Sequence, residues 1–315
     1  MAVCPVECIS FISDEEGFFY PTADHRCTNC GRCEKVCPII NESNFISQNF
    51  KQFCVAALHK DTNVWRKSSS GGAFSAICKA FCNDGDAIFG AKFEGFRVVH
   101  DFVYGPDNIE SFRKSKYVQS DIRDSYNKVK NILESNKKVL FSGTPCQVAG
   151  LRSFLGKEYK NLLCVDLVCH GVGSPGVFKK YIEYLEKRHA SKVISYTFRH
   201  KKAKMGRFLQ HIIIIKLANG KRIEDSSDLY NNGFIQTLFL RPSCGKCIFA
   251  NLNRLGDITI ADFKKKYELL PEVKGYENLS TIIVNTEKGA EVFAKLKEIL
   301  KIYPANLDNV ARDNP

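Results

Sequence analysis

Lys138-Val139-Leu140-Phe141-Ser142-Gly143-Thr144-Pro145-Cys146-Gln147 is the stretch on which the fold turns. A short apolar run closes on glycine, threonine and proline. It reads as a buried strand that ends in a turn and enters a helix reaching to about residue 155. Residues 162–168 repeat the pattern as a second buried strand, which ends in Cys169-His170-Gly171. A helix over 174–189 follows, with Ser174 as N-cap and Pro175 in its first turn. Strand–turn–helix units in succession predict α/β layers. Were the two strands parallel neighbours, Cys146 and Cys169 would share one sheet edge, the edge at which open α/β sheets bind ligands.

Strands and helices alternate outward from there. Upstream, strands are expected over 53–59, 86–93 and 97–103, the last two paired. A helix runs from Ser68-Ser69-Ser70-Gly71-Gly72-Ala73 to about residue 82, and another covers 121–135. Downstream, strands are expected over 193–199, 209–217, 222–224, 257–262 and 281–285, with helices over 229–240 and 287–301. Residues 41–51 are polar and read as a linker. Ahead of it, 9–13 and 17–20 read as a short hairpin around Asp14-Glu15-Glu16. The fold class is therefore an α+β, ferredoxin-like N-terminal segment followed by an α/β body with a mixed, largely parallel sheet.

The chain has 315 residues, 44% apolar and 11% aromatic, which excludes a disordered chain. No apolar run reaches the ~18–20 residues of a membrane span. With no secretory leader in view, the expectation is a cytoplasmic protein. Its net charge of +12 is spread along the chain. The tight basic clusters are Arg199-His200-Lys201-Lys202 with Lys204, and Lys264-Lys265-Lys266. No nucleic-acid-binding signature accompanies them, so they read as solvated surface or as attraction for an anionic cofactor.

Fourteen cysteines are many for such a chain, and point to metal or redox chemistry. Cys27-Thr28-Asn29-Cys30-Gly31-Arg32-Cys33-Glu34-Lys35-Val36-Cys37-Pro38 has the C-x2-C-x2-C-x3-C-P spacing of bacterial ferredoxins, where three thiolates wrap one 4Fe-4S cube and the fourth points to another. Cys4-Pro5 resembles the end of an earlier copy of that run, with Met1-Ala2-Val3 as its x3. On this reading the chain is shortened at its N-terminus. Cys4 completes the set Cys27, Cys30 and Cys33, Cys37 is the lone ligand of a second cluster, and Cys8, a weak substitute ligand, reads rather as a packed thiol. In the body, Cys146, Cys169 and the C-x2-C pair Cys244 and Cys247 suit a second 4Fe-4S cluster or a zinc site. Cys146 opens a helix, where the N-terminal field favours a thiolate. Cys54, Cys78, Cys82 and Cys164 lie in apolar periodic stretches and read as core thiols. The Ser68–Gly72 loop, placed at a strand-to-helix junction, reads as a turn or as an anion cradle.

Six stretches in fixed order carry a family resemblance: Ser69-Ser70-Gly71-Gly72-Ala73-Phe74, Ala87-Ile88-Phe89-Gly90-Ala91, Ser115-Lys116-Tyr117-Val118-Gln119-Ser120-Asp121, Phe141-Ser142-Gly143-Thr144-Pro145-Cys146-Gln147, Asp166-Leu167-Val168-Cys169-His170-Gly171-Val172 and Leu240-Arg241-Pro242-Ser243-Cys244-Gly245-Lys246-Cys247. Together they resemble the coenzyme F420 hydrogenase/dehydrogenase beta subunit family, joined to a ferredoxin domain. The resemblance implies a ferredoxin-like domain and linker over 1–50, a family N-terminal region over 51–125 and a family C-terminal domain over 126–305. It implies FAD and 4Fe-4S clusters as cofactors and coenzyme F420 as a further candidate. Cys146, Cys169, Cys244 and Cys247 would be cluster ligands near the flavin. Ser69, Ser70, Gly71 and Gly72 would lie against flavin or coenzyme phosphate, and Lys116, Tyr117 and Gln119 would line the same pocket. Ala261-Asp262-Phe263-Lys264-Lys265 stands where the family usually has Gly-Asp-Phe-Trp-Gly, which bears on how closely that loop can approach a cofactor.

The expected activity is an iron–sulfur flavoprotein oxidoreductase that passes electrons between a small-molecule hydride carrier and 4Fe-4S clusters, with a redox protein or ferredoxin as partner. The alternatives are a flavin-free electron-transfer module and a zinc-stabilised interaction protein. No residue is singled out as catalytic.

Overall fold

Successive residues of a strand face opposite ways, and here both ways are apolar. Ile88, Leu140 and Leu163 turn to one face of a sheet. Phe89, Phe141 and Cys164 turn to the other. Strands buried on both sides are those of a sheet covered by helices on both faces. The computed structural model describes residues 3–41, 50–204, 207–264 and 278–313. Met1, Ala2, most of the expected 41–51 linker, and Lys265 and Lys266 lie outside them.

An antiparallel hairpin comes first, β1 (Ile9–Ser13) and β2 (Phe19–Ala23), followed by one helical turn, α1 (Arg32–Lys35). The body then runs β3 (Phe53–His59), α2 (Thr62–Lys67), α3 (Ala73–Phe81), β4 (Ala87–Glu94), β5 (Arg97–Tyr104), α4 (Ser125–Glu134), β6 (Val139–Gly143), α5 (Pro145–Leu155), β7 (Leu162–Leu167) and α6 (Pro175–His189). It continues with β8 (Val193–Lys204), β9 (Arg207–Leu217), β10 (Arg222–Asp225), α7 (Leu229–Ile235), β11 (Ile258–Asp262), β12 (Ser280–Val284), α8 (Glu287–Ile299), β13 (Leu300–Ala305) and α9 (Leu307–Asp313).

The eight-stranded sheet has the order β13-β3-β12-β11-β7-β6-β4-β5. Its strands come from both the 51–125 and the 126–305 stretches. Only its centre is parallel, β11-β7-β6-β4. Toward both edges the ladders are antiparallel, so the sheet is mixed, as expected, with its parallel part confined to the core. Ile77 of α3 and Leu296 of α8 cover one face. Val129 of α4 and Leu151 of α5 cover the other. Each such side chain contributes about 1.5–3 kcal/mol by leaving water. Cys54, Cys78, Cys82 and Cys164 are buried in this core, as expected. Among the described residues, no helix is long and apolar enough to cross a membrane.

Three local expectations change. The Ser68–Gly72 loop follows a helix, not a strand, because Asp61 accepts a hydrogen bond from Asn63 N–H and starts α2 ahead of it. The helix expected over 229–240 stops at Ile235. The closing helix gives way to β13 at Leu300, which pairs antiparallel with β3.

β8, β9 and β10 form a separate antiparallel sheet. Its core is aromatic, with Phe178, Tyr196, Phe198 and Tyr230 packed together. Asp228 is buried there but satisfied. It accepts from Tyr181 Oη and Tyr196 Oη, both at 2.7 Å, and from Asn231 N–H at 2.8 Å.

The ends of β7 and β11 are locked by a buried ion pair. Asp166 is fully buried, and Arg254 Nη2 reaches its Oδ1 at 3.2 Å. The same guanidinium donates to the Leu167 carbonyl at 2.9 Å, and the Thr259 hydroxyl donates to Asp166. Removing one partner of such a pair leaves a charge stranded in a low-dielectric interior. Arg254→Ala is therefore expected to cost about 3–5 kcal/mol. Urea unfolding checks this: the midpoint should fall with an unchanged slope.

Candidate redox centres

The turn after β6 is set by a chain of hydrogen bonds. His100 Nε2 bonds the Ser142 carbonyl and its Nδ1 bonds Ser120 Oγ, both at 3.0 Å. Ser120 Oγ accepts from Gln147 Nε2 at 2.8 Å, and Gln147 Oε1 accepts from Thr144 N–H at 2.9 Å. Gln147 thus reaches back to the N-cap of α5 in the manner of a capping box. This fixes Cys146 in the first turn, with its Sγ 3.0 Å from Thr144 Oγ1.

β6 and β7 are parallel neighbours, with Gly143 opposite Asp166, so their ends bring the Cys146 turn beside the segment that carries Cys169. That segment pairs in turn with the approach to the C-x2-C. Gly173 bridges Leu240, and Arg241 N–H donates to the Val172 carbonyl at 3.0 Å. Gly171, at φ 135°, passes so close that an added Cβ would stand 2.8 Å from Leu240 Cδ1 and 3.4 Å from the Cβ of Cys244. Cys244 lies in the 3-10 turn Pro242–Lys246, and Cys247 follows it directly.

The four thiols feel one another electrostatically. Burial pushes the Cys169 thiol up to about 12, with Cys146, Cys244 and Cys247 adding to the rise. Cys146 keeps an exposed edge, yet the protein mass around it raises its thiol against the lowering effect of the Thr144 hydroxyl, and Cys247 and Cys244 raise it further. The thiolate expected from the helix N-terminus is therefore not favoured by these surroundings alone. Desolvation outweighs the local hydrogen bond.

The N-terminal cysteines line a cleft of about 130 Å³. Cys4, Cys27, Cys30 and Cys33 border it, and so does Cys8. Left-handed residues at Asn29 (φ 51°) and Gly31 (φ 69°) wrap the chain around it. Cys37 is not part of the lining. Its carbonyl accepts from Asn41 Nδ2 at 2.9 Å, which ties down the end of the run. Among the described residues, no three His, Cys, Asp or Glu side chains are grouped to hold a single metal ion. A 4Fe-4S cube makes a different demand, because each of its irons takes its own thiolate.

The two centres are joined through Arg241, three residues from Cys244. Its Nη1 donates to the Phe19 carbonyl at 2.9 Å, and its guanidinium lies 3.9 Å from the Tyr20 ring centre. Gln119 clamps the same hairpin. Its Oε1 accepts from Phe19 N–H at 3.1 Å and its Nε2 donates to the Phe19 carbonyl at 3.4 Å. Gly17 and Gly176 meet backbone to backbone, and an added Cβ on Gly17 would stand 2.5 Å from Gly176 Cα.

The residues expected to line a cofactor pocket are largely engaged with the protein itself. Ser69 Oγ accepts from Ser115 N–H at 3.0 Å, and Ser70 Oγ donates to the Leu279 carbonyl at 2.6 Å. Gly71 is wedged between backbones: an added Cβ would stand 2.1 Å from the Ala57 oxygen. Gly72 takes φ 94° to open α3. Lys116 is turned inward, its ammonium held by the carbonyls of Ser111 and Arg113, both at 2.9 Å, and burial lowers its pKa to about 7. Tyr117 stacks on Phe234, ring centres 4.4 Å apart, and His170 packs edge-on against the same Phe234.

The basic run at 199–202 is not simply solvated surface. Arg199 and Lys201 are buried in β8, while His200 between them and Lys202 after them are less so. Arg199 Nη1 meets Asp262 at 2.9 Å. Lys201 Nζ donates to the carbonyls of Trp65 (2.6 Å) and Ser70 (2.5 Å) and lies 4.5 Å from the Trp65 ring centre. Alternation from the buried Tyr196 and Phe198 would have turned His200 and Lys202 inward instead; the register of β8 is irregular between Thr197 and Lys202, and the sequence does not mark that. Nothing in the sequence marks Arg241.

The family model for the C terminus of the coenzyme F420 hydrogenase/dehydrogenase beta subunit matches residues 136–309. A chain of the F420-reducing nickel–iron hydrogenase complex from Methanosarcina barkeri is similar in structure, with a TM-score of 0.53 and 18% identity, covering 85% of this chain and 90% of that one. At that identity the likeness is one of fold. No curated protein matches the chain.

Two outcomes follow from this geometry. Burial lowers the His100 pKa from 6.5 to about 4, so it stays neutral in the folded chain. Unfolded chains take up that proton first, so stability is lost as pH falls from about 6.5 toward 4, by about 3 kcal/mol in all. Denaturation midpoints across that range should show a shallower slope in His100→Gln. Separately, Arg241→Ala is expected to loosen the hairpin by about 1–3 kcal/mol. Amide exchange at Phe19 should quicken, while the amides of β6 and β7 keep their protection.

Proposed function

The chain belongs to the coenzyme F420 hydrogenase/dehydrogenase beta subunit family, and from that premise we propose that it is an iron–sulfur redox subunit, passing electrons between 4Fe-4S clusters and a hydride carrier of the flavin or F420 type. The observation that carries this reading is the convergence of the segments that bear Cys146, Cys169, Cys244 and Cys247: β6 and β7 end side by side, Gly173 bridges Leu240, and an added Cβ on Gly171 would stand 3.4 Å from the Cys244 Cβ. Only thiols make up that set, and soft sulfur donors suit iron–sulfur clusters. These four would hold the cluster of the body. Cys4, Cys27, Cys30 and Cys33 would hold the N-terminal one, leaving Cys37 as a ligand outside that cleft.

Clusters supply one-electron steps, and a flavin such as FAD, or coenzyme F420, accepts a hydride. The chain's own part is to hold the clusters. Cys169, Cys244 and Cys247 are half-buried and Cys146 is exposed, so the body set sits at the protein surface with one side open. The carrier would lie near the Ser69–Gly72 loop, with Tyr117 beside it; Lys201 supports the loop from within, its ammonium donating to the Ser70 carbonyl. Lys116 and Gln119 act at one remove, Lys116 by shaping its own segment and Gln119 by holding the hairpin. A redox partner, either a companion subunit or a ferredoxin, completes the circuit. The M. barkeri chain of similar fold works within a hydrogenase complex, which is the kind of assembly this reading anticipates.

Anaerobic reconstitution with iron and sulfide tests the reading. The expected result is two clusters' worth of iron and acid-labile sulfide per chain, and one cluster's worth in Cys169→Ala. Bound flavin after incubation with FAD selects the flavoprotein form, and clusters without flavin select a carrier that works with F420 or a partner. Zinc without sulfide, or a chain that takes up no iron, overturns it.

A further inference from the structure

Five thiols, not four, border the N-terminal cleft. The fifth is Cys8, one residue ahead of β1. A turn folds it back over Cys4: Glu7 N–H donates to the Cys4 carbonyl at 3.4 Å, with Glu7 at φ 51°. The two sulfurs end 3.4 Å apart. Cys27 borders the same cleft. The Cys8 backbone is fixed from the far side, since Asp24 N–H donates to its carbonyl at 3.0 Å. Cys8 is only 2% exposed, whereas Cys4 is half-buried.

Resting on the reading that this cleft holds a 4Fe-4S cluster, we propose that Cys4 and Cys8 are alternative ligands to one and the same iron, with Cys8 the reserve. Each iron of such a cube has one position left for protein once its three sulfides are counted. Two sulfurs in van der Waals contact point at a single position, and they cannot both fill it. Moving from one to the other takes a side-chain rotation, because the turn already holds both backbones in place. In the exchange the iron–Sγ bond of Cys8 forms and that of Cys4 breaks. The Cys8 thiol gives up its proton, and the released Cys4 thiolate takes one up. No electron is transferred, and the number of thiolates on the cluster is unchanged.

The difference in exposure gives the arrangement its use. Oxidants and alkylating agents reach solvent-accessible thiols first, so of this pair Cys4 is the more open to attack and Cys8 the protected one. Cys37 cannot serve in its place, because it stands outside the lining.

Full-length Cys4→Ala, Cys8→Ala, the double variant and Cys27→Ala, each reconstituted anaerobically, decide the matter. Iron and sulfide per chain and the electron paramagnetic resonance spectrum of the reduced protein are the readouts. Cys8→Ala should match the unsubstituted chain in both. Cys4→Ala should keep full iron and sulfide but show an altered spectrum, since a different sulfur binds the same iron. The double variant and Cys27→Ala should each lose one cluster's worth of iron. The body cluster's own signal and an unchanged melting transition report that each variant has folded. If Cys4→Ala loses as much iron as the double variant, the reserve role is overturned while the cluster reading stands. If the unsubstituted chain takes up no iron, or if Cys27→Ala loses none, the cluster reading falls, and the reserve role falls with it.

Discussion

Two parallel strands ending level with one another are the constraint on which the rest depends. β6 and β7 run side by side with Gly143 opposite Asp166. That pairing delivers the Cys146 turn and the Cys169 segment to one edge of the sheet. The register is held from beneath by Asp166, which shares the Arg254 guanidinium and the Thr259 hydroxyl with the next strand along. A slip of one residue would carry Phe141 and Cys164 to the opposite face, into packing shaped around Leu140 and Leu163, and draw the buried carboxylate away from its partners. The hydrophobic pattern and the buried charge therefore enforce the same alignment.

The turn that presents Cys146 is held from both ends. His100 bonds the last strand's Ser142 carbonyl, and Ser120 links it onward to Gln147 and the first amide of α5. These residues lie far apart in sequence, and none of them needs to touch a ligand to matter. Their work is to hold a short strand-to-helix turn in one shape. That is a sufficient physical reason for a Gly-Thr-Pro-Cys-Gln sequence whether or not a cofactor is bound.

What could be read from the chain was whatever is local. The central strands, the α5 turn, the Ser174 cap of α6 and the buried Cys54, Cys78, Cys82 and Cys164 all follow from spacing within a few residues. The failures are of longer range. Gly71 looks like a phosphate-binding glycine, but its space is taken by the backbone of Ala57, a contact that no window of sequence contains. Lys201 reads as surface because charge clusters usually are surface, yet in the irregular stretch of β8 around His200 it is buried against Trp65. The antiparallel flanks of the sheet arise because β13 returns beside β3 and β12 beside β11, and strand partnership of this kind is decided only by the whole fold. At the cysteines, the C-x2-C-x2-C spacing identified Cys27, Cys30 and Cys33 as a group. The place of Cys8 depended on a four-residue turn whose left-handed Glu7 has no distinctive sequence mark.

The contact between Gly17 and Gly176 has a consequence for how the hairpin tolerates change. Most docked segments rest on side chains, which can tilt or swap rotamers to admit a larger neighbour. Here main chain rests on main chain, and an added Cβ on either glycine would stand within 2.8 Å of the other's Cα. Even one methyl group at this joint would wedge the hairpin off the start of α6, so two positions that carry no functional group are among the least replaceable in the N-terminal segment.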